Sequence, residues 1–119
     1  IKSGGRAIVV DTVAPADRVL DTHLQAIELL RDASHVRNYS VAELIAALSR
    51  AGFAVDGMTL RRLRMEFPVW IARTQVSPAH AAAIRSVQEG APRSVAAHFA
   101  IGPDGSFDLD SATLFANAV

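Results

Sequence analysis

The chain has 119 residues, with twelve basic and twelve acidic side chains, half of its residues hydrophobic and no cysteine. This length allows one domain, which buries roughly two-thirds of the surface that the unfolded chain exposes. The formal net charge of zero excludes a general attraction to nucleic acid or anionic lipid, and the absence of cysteine excludes disulfides and thiolate chemistry. No apolar run approaches the roughly 20 residues of a membrane span, so we expect a cytoplasmic protein without a membrane partner.

A strand is predicted directly after the glycine pair Gly4–Gly5. The run Ala7–Val10 is short, apolar and rich in β-branched residues, and it ends on an acid, Asp11. This pattern is typical of a strand that is covered on both faces.

Two helices are predicted next, separated by the polar connector "RDASHVRNYS". Asp17 indicates the start of the first helix, which runs to about residue 31. Ser40 and Glu43 form the capping-box pattern of the second helix, and Gly52 is typical of a left-handed residue at its end.

The remainder of the chain reads as a strand, several short helices and a last strand. Residues 53–65 are predicted to be extended, with a bend or bulge at Gly57. Short helices are predicted to begin at Pro68, Pro78 and Pro92, and residues 107–119 are predicted to be a strand in the interior of a sheet. The fold class is therefore α/β.

Two segments follow one another in the chain, "IKSGGRAIVVD" and, about thirty residues later, "YSVAELIAALSRAGF". In this order they resemble the second half of the class I S-adenosylmethionine-dependent methyltransferases, and within that family the small-molecule enzymes of ubiquinone and menaquinone biosynthesis. The resemblance implies that residues 1–119 are one partial domain, the C-terminal half of a Rossmann-like sheet with strands five, six and an antiparallel seventh. The residues that match the family pattern are Lys2, Gly4, Gly5, Asp11, Tyr39, Ser40, Glu43, Ala51, Gly52 and Phe53.

The resemblance also implies S-adenosylmethionine as the cofactor of the parent enzyme and a small organic molecule as the methyl acceptor. The family binds the cofactor on a glycine-rich turn after its first strand, and no G-x-G-x-G occurs in this sequence. The glycine pair here precedes a strand, so it offers no helix N-terminus to a ligand. We therefore expect no cofactor contacts on this chain, and no activity from this chain alone.

The residues that could contact the acceptor lie after the first strand. Open α/β sheets bind ligands beyond the carboxyl ends of their strands, where Asp11 and Thr12 are expected. The connector contributes three more candidates. His35 is the candidate general base, Arg37 could hold an anionic group, and Tyr39 could contact the acceptor. Each residue also has an ordinary interpretation as a turn cap, a solvated side chain or a packing residue.

Other conspicuous side chains are given structural roles. His23 lies beside the apolar stripe of the first helix and is interpreted as a boundary residue. His80 and His98 have no carboxylate or histidine at ligand spacing, so no metal site is expected. Trp70 is interpreted as a core residue, with a lid over the acceptor as the alternative.

The sequence also allows two other classes of function, a DNA-binding domain and a non-catalytic interaction module. Residues 39–65 can be read as a helix-turn-helix in which Arg61, Arg62 and Arg64 contact DNA phosphates, but the second element contains poor helix formers, so no nucleic-acid partner is expected. A non-catalytic interaction module is the other alternative. Without further strands beside it, Ala7–Val10 would be a naked apolar edge, which predicts a homodimer through that edge.

Overall fold

A computed structural model describes residues 5–119, so the predicted turn at Gly4 lies outside the described residues. Within that range the chain forms one three-stranded sheet and five helices. In chain order they are β1 (Arg6–Val13), α1 (Arg18–Arg31), α2 (Val41–Arg50), β2 (Phe53–Met65), α3 (Phe67–Ala72), α4 (Pro78–Glu89), α5 (Arg93–His98) and β3 (Phe107–Ala118).

The last strand lies in the middle of the sheet. The strand order is β1-β3-β2, and β3 is antiparallel to both neighbours, which confirms the expected antiparallel seventh strand. Val13 pairs with Asp110, and Met65 pairs with Phe107. The carboxyl ends of β1 and β2 therefore meet the beginning of β3 at one end of the sheet.

Strand β1 differs from its prediction in two respects. It continues two residues beyond Asp11, to Val13. It is also not covered on both faces, since Ile8 and Val10 are 63% and 66% exposed. Side chains alternate between the faces of a strand, so these two residues lie on the same face. Within residues 5–119, β1 pairs with β3 alone, and its other edge has no partner strand.

Local capping explains where the helices begin. The Asp17 carboxylate accepts hydrogen bonds from the backbone N–H groups of Val19 and Leu20, so α1 begins at residue 18. The predicted capping box of Ser40 and Glu43 is present at the start of α2. Gly52 has φ +91°, which confirms the left-handed residue expected between α2 and β2.

Residues 53–65 form one strand, so the helix-turn-helix interpretation is wrong. The register of β2 against β3 shifts between Val55 and Gly57, which confirms the predicted irregularity. The Phe115 ring lies over Gly57, where a Cβ would be 3.5 Å from Phe115 Cδ2. Arg62 and Arg64 both pair with Asp108 across the two strands.

The main hydrophobic core lies between the helices and the end of the sheet where β3 begins. Leu24 and Ile27 of α1 and Ile84 of α4 are fully buried there. Trp70 is 2% exposed and its ring packs edge-on against Phe107, with 5.0 Å between ring centroids. This contact confirms the core interpretation of Trp70 and excludes the lid.

Candidate functional site

The connector of residues 32–40 runs back to the carboxyl end of β1. The Ala14 N–H donates a hydrogen bond of 2.9 Å to the Tyr39 carbonyl, which attaches the end of the connector to the residue after β1. The connector therefore lies at the end of the sheet where ligands bind in open α/β folds.

One side chain of α1, Gln25, holds the connector in place. Its amide nitrogen donates to Asp21 Oδ1 at 2.8 Å and to the Asn38 carbonyl at 3.0 Å. Its Oε1 accepts from the Asn38 N–H at 3.1 Å and lies 2.9 Å from His35 Nε2. Both backbone groups of Asn38 are thus bound to a single amide.

The same amide determines the tautomer of His35. Because the Asn38 N–H and carbonyl fix which end of Gln25 is oxygen, the atom facing His35 Nε2 is an acceptor. His35 therefore donates from Nε2, and in the neutral imidazole this leaves Nδ1 as the ring nitrogen with a free lone pair. Within residues 5–119, Nδ1 has no hydrogen-bond partner.

Arg37 is shared between two carboxylates. Its Nη2 lies 3.2 Å from Glu43 Oε1 and 3.5 Å from Asp21 Oδ2, and the guanidinium carbon lies 5.9 Å from the centre of the Tyr39 ring. The Ser40 backbone N–H, the Ser40 hydroxyl and then Arg37 hold the pKa of Glu43 below its ordinary value. Arg37 is therefore already compensated, and its capacity to hold an anionic group is correspondingly reduced.

A groove of about 480 Å³ lies between α1 and the connector. His35 and Arg37 line it, which brings together two of the connector residues predicted from the sequence. Tyr39 lies beside it and lines a second groove of about 310 Å³ along α2. The lining residues of the first groove are Asp21, Thr22, Gln25, Ala26, Leu29, His35, Val36 and Arg37.

Comparison of the sequence with known proteins gives two relatives. This chain is 41% identical over 110 residues to the uncharacterized protein YafE of Escherichia coli, and the alignment covers 92% of this chain and 53% of YafE. It is 37% identical over 73 residues to the uncharacterized methyltransferase YcgJ of Bacillus subtilis, covering 61% of this chain and 29% of YcgJ. No protein-family model matches the sequence.

Solved structures agree with the sequence relatives. The fold superposes on that of a Bacillus halodurans protein assigned as a methyltransferase, with a TM-score of 0.91 and 25% identity, over 98% of this chain and 57% of that one. It superposes on B. subtilis YcgJ with a TM-score of 0.90 and 28% identity, over 99% of this chain and 53% of YcgJ. This chain has the fold of the C-terminal part of a methyltransferase. It spans about half the length of these structures.

The methyltransferase fold separates two of the predicted acceptor contacts. Asp11 pairs with Ala112 and Thr12 pairs with Ser111, so the two side chains lie on opposite faces of the sheet. Neither lines the groove beside α1. The structure therefore does not bring Asp11 and Thr12 together with His35 and Arg37 in one groove.

The N-terminus of α1 is capped by a residue of its own sequence. The helix that follows β1 has its first N–H groups occupied by its own cap, because Asp17 accepts from Val19 and Leu20 at 2.9 and 3.1 Å. A negatively charged ligand group at this helix end would meet the Asp17 carboxylate.

The histidines outside the groove have structural surroundings. His23 is 9% exposed, which is more deeply buried than a boundary residue, and its ring lies 5.2 Å from that of Phe99. Burial lowers the pKa of His23. The His98 ring packs edge-on against the ring of Phe99, with 4.7 Å between the ring centroids. Between residues 5 and 119 there is no group of three or more metal-ligating side chains.

A half-buried ion pair on α1, Glu28–Arg31, joins α1 to α3 through contacts of Arg31 with Trp70 that the sequence did not predict. Arg31 Nη1 lies 3.8 Å from Glu28 Oε1, and the guanidinium carbon lies 4.7 Å from the centre of the Trp70 ring. Arg31 Nε also donates to the Trp70 carbonyl at 3.1 Å. Burial raises the pKa of Glu28, and Arg31 opposes part of that effect. The i,i+3 spacing of the charged pair was visible in the sequence, but its contact with Trp70 was not.

Gln25 and Asp21 were also missed. Their i,i+4 spacing is compatible with a hydrogen bond on one helix face, which is the signal the sequence carried. Nothing in the local sequence indicates that Gln25 binds Asn38, thirteen residues further along the chain.

None of the helices between residues 5 and 119 has both the length and the hydrophobicity that a membrane-spanning helix needs.

Proposed function

We propose that this chain is the acceptor-side half of an S-adenosylmethionine-dependent methyltransferase that acts on a small organic molecule. The observation that carries the proposal is the superposition on the C-terminal part of methyltransferase structures with a TM-score of 0.91. The position of the groove supports it, because the connector that forms one wall is attached to the carboxyl end of β1.

In this proposal the two halves of the enzyme have different roles. The cofactor is held by the half of the methyltransferase fold that this chain does not match, and this chain contacts the acceptor. His35 Nδ1 accepts a hydrogen bond or a proton from the acceptor, and Tyr39 and the Arg37 guanidinium contact its body. Asp11 and Thr12, near the end of β1, contact the acceptor from the sheet. Without the other half, we expect no methyl transfer.

The exposed edge of β1 favours a second candidate, a dimerising interaction module. Ile8 and Val10 are 63% and 66% exposed on one face of β1, whose outer edge has no partner strand within residues 5–119. Antiparallel pairing with the same strand of a second copy, about a two-fold axis, would cover that edge. Either candidate is consistent with a cytoplasmic protein that binds no nucleic acid.

The test compares this chain with the source protein produced from its complete coding sequence. Calorimetric titration with S-adenosylmethionine is expected to show binding by the complete protein and none by residues 1–119. Transfer of labelled methyl groups to a small-molecule extract then tests catalysis. A complete protein that neither binds the cofactor nor transfers methyl groups would contradict the methyltransferase proposal, whereas light scattering that shows residues 1–119 to be a monomer would contradict the dimerising module.

A further inference from the structure

We propose that the groove between α1 and the connector selects an amine that carries an apolar group, and disfavours a carboxylate of the same shape. The inference names the class of acceptor and, in assigning the bound amine as the methyl acceptor, rests on the proposed function. An ammonium nitrogen has no lone pair, so it releases one proton to His35 Nδ1 before it can accept a methyl group. The binding preference itself depends only on the charges, hydrogen bonds and apolar contacts of the groove.

The charges around the groove favour a cation. Among residues 5–119, Arg37 is the one lysine or arginine side chain in the lining. Its Nη2 lies within 3.5 Å of two carboxylates, Asp21 in the lining and Glu43 beside it. One guanidinium therefore stands against two carboxylates. Arg18, on the same helix as Asp21, adds one positive charge. Glu28 and Asp32, both close enough to His35 to interact with it, add two negative charges, and Arg31, which interacts with both of them, adds one positive charge. The local excess remains one negative charge, which attracts an ammonium group and repels a carboxylate.

The hydrogen-bonding groups favour a ligand that donates. Both amide protons of Gln25 are used, by Asp21 and by the Asn38 carbonyl. The Thr22 hydroxyl donates to the Arg18 carbonyl at 2.8 Å. His35 donates from Nε2 to Gln25, so Nδ1 of the neutral imidazole is an acceptor. An amine supplies the donor that Nδ1 lacks, and a carboxylate has no proton to give it.

The rest of the groove is apolar. Ala26, Leu29 and Val36 line it, and the last two are 54% and 87% exposed. A volume of about 480 Å³ is within the usual range for small-molecule sites. A ligand with an aromatic or short alkyl body would cover these side chains while its amine faces His35 and Asp21.

Three probes with the same phenylethyl body test the inference. 2-Phenylethylamine, 2-phenylethanol and 3-phenylpropanoate carry an ammonium, a hydroxyl and a carboxylate group at pH 7. Each is titrated into the ¹⁵N-labelled 119-residue chain, and backbone amide signals are followed by NMR. We expect the amine to shift the signals of residues 35–37 with a Kd about tenfold below that of the carboxylate, and the alcohol to lie between them.

Charge-removing variants test the cause of the preference. Asp21→Asn and Glu43→Gln are each expected to weaken amine binding about threefold. Glu43→Gln keeps the capping box, because a glutamine side chain can still accept from the Ser40 N–H. Glu89→Gln, on α4 and outside the groove, is the matched control and should keep the Kd of the unchanged chain. Well-dispersed spectra of each variant establish that it is folded.

The inference is overturned if the carboxylate binds as tightly as the amine, if the shifted signals lie outside the groove, or if none of the three probes binds. These results are separate from those of the methyl-transfer assay. Loss of the amine preference in a protein that transfers methyl groups contradicts this inference alone. An intact preference in a protein that transfers none contradicts the proposed function alone.

Discussion

The Gln25→Met variant should release the connector from α1 while the core stays folded. Methionine has nearly the same size and helix propensity as glutamine but cannot replace the amide. The variant loses the contacts of Gln25 with Asp21, His35 and both backbone groups of Asn38. The core residues Leu24 and Ile27 of α1 are fully buried and do not depend on those contacts.

The expected loss of free energy that holds the connector against α1 follows from the four contacts of Gln25. A net contribution of about 0.5–1.5 kcal/mol per hydrogen bond gives a nominal sum of about 2–6 kcal/mol. Contacts that share one amide are not additive and the region is half-buried, so we expect about 2 kcal/mol, near the lower end. At about 1.4 kcal/mol per factor of ten, this raises the open population of the connector roughly 30-fold.

Native-state hydrogen exchange measures this opening directly. The Asn38 amide, which donates to Gln25 Oε1 at 3.1 Å, is expected to exchange about 30-fold faster in the variant. Gln88→Met is the matched control, because Gln88 is a buried amide on α4 that binds the Gly105 carbonyl and should leave exchange in the connector unchanged. Unchanged Asn38 exchange in Gln25→Met would refute the role given to Gln25.

Three further predictions concern stability, measured by urea unfolding followed by circular dichroism. Gly105→Ala should lower the free energy of unfolding by about 2–5 kcal/mol, because Gly105 has φ +92° and a Cβ would lie 2.9 Å from Phe67 Cδ1. Gly52→Ala should lower it by only about 1–2 kcal/mol, because Gly52 has φ +91° but a Cβ there would have nothing within 4 Å. Equal losses in the two variants would contradict the steric argument. Because burial lowers the pKa of His23, its imidazole binds a proton more readily in the unfolded chain than in the folded one, and the free energy of unfolding should fall as the pH drops below about 6.5. His23→Leu should flatten this dependence of stability on pH. An unchanged dependence would exclude His23 as its source. Trp70→Ala should lower the free energy of unfolding by about 3–5 kcal/mol, since Trp70 is 2% exposed. A loss below about 1 kcal/mol would indicate a mobile lid rather than a core residue.

Features that depend on a few adjacent residues could be predicted from the sequence. The capping box of Ser40 and Glu43, the left-handed Gly52 and the irregular strand around Gly57 all appear where their local patterns placed them. Each is decided by backbone sterics or by hydrogen bonds within a few residues, so the neighbouring sequence contains the cause. The ordered pair of methyltransferase-like segments similarly indicated the fold before any coordinates did.

Features that depend on contacts between distant residues were decided by the tertiary structure. The connector is positioned because the Gln25 side chain forms hydrogen bonds with Asn38. The Arg37 charge is compensated because two carboxylates from different helices, Asp21 and Glu43, lie close to it. Asp11 and Thr12 were each predicted to contact the acceptor, and the alternation of side chains along β1 places them on opposite faces of the sheet. Residue types indicated His35 and Arg37 as groups of this site, but not Gln25 or Asp21. Only the packing of α1 against the connector determined which of those groups face the groove and which are already paired.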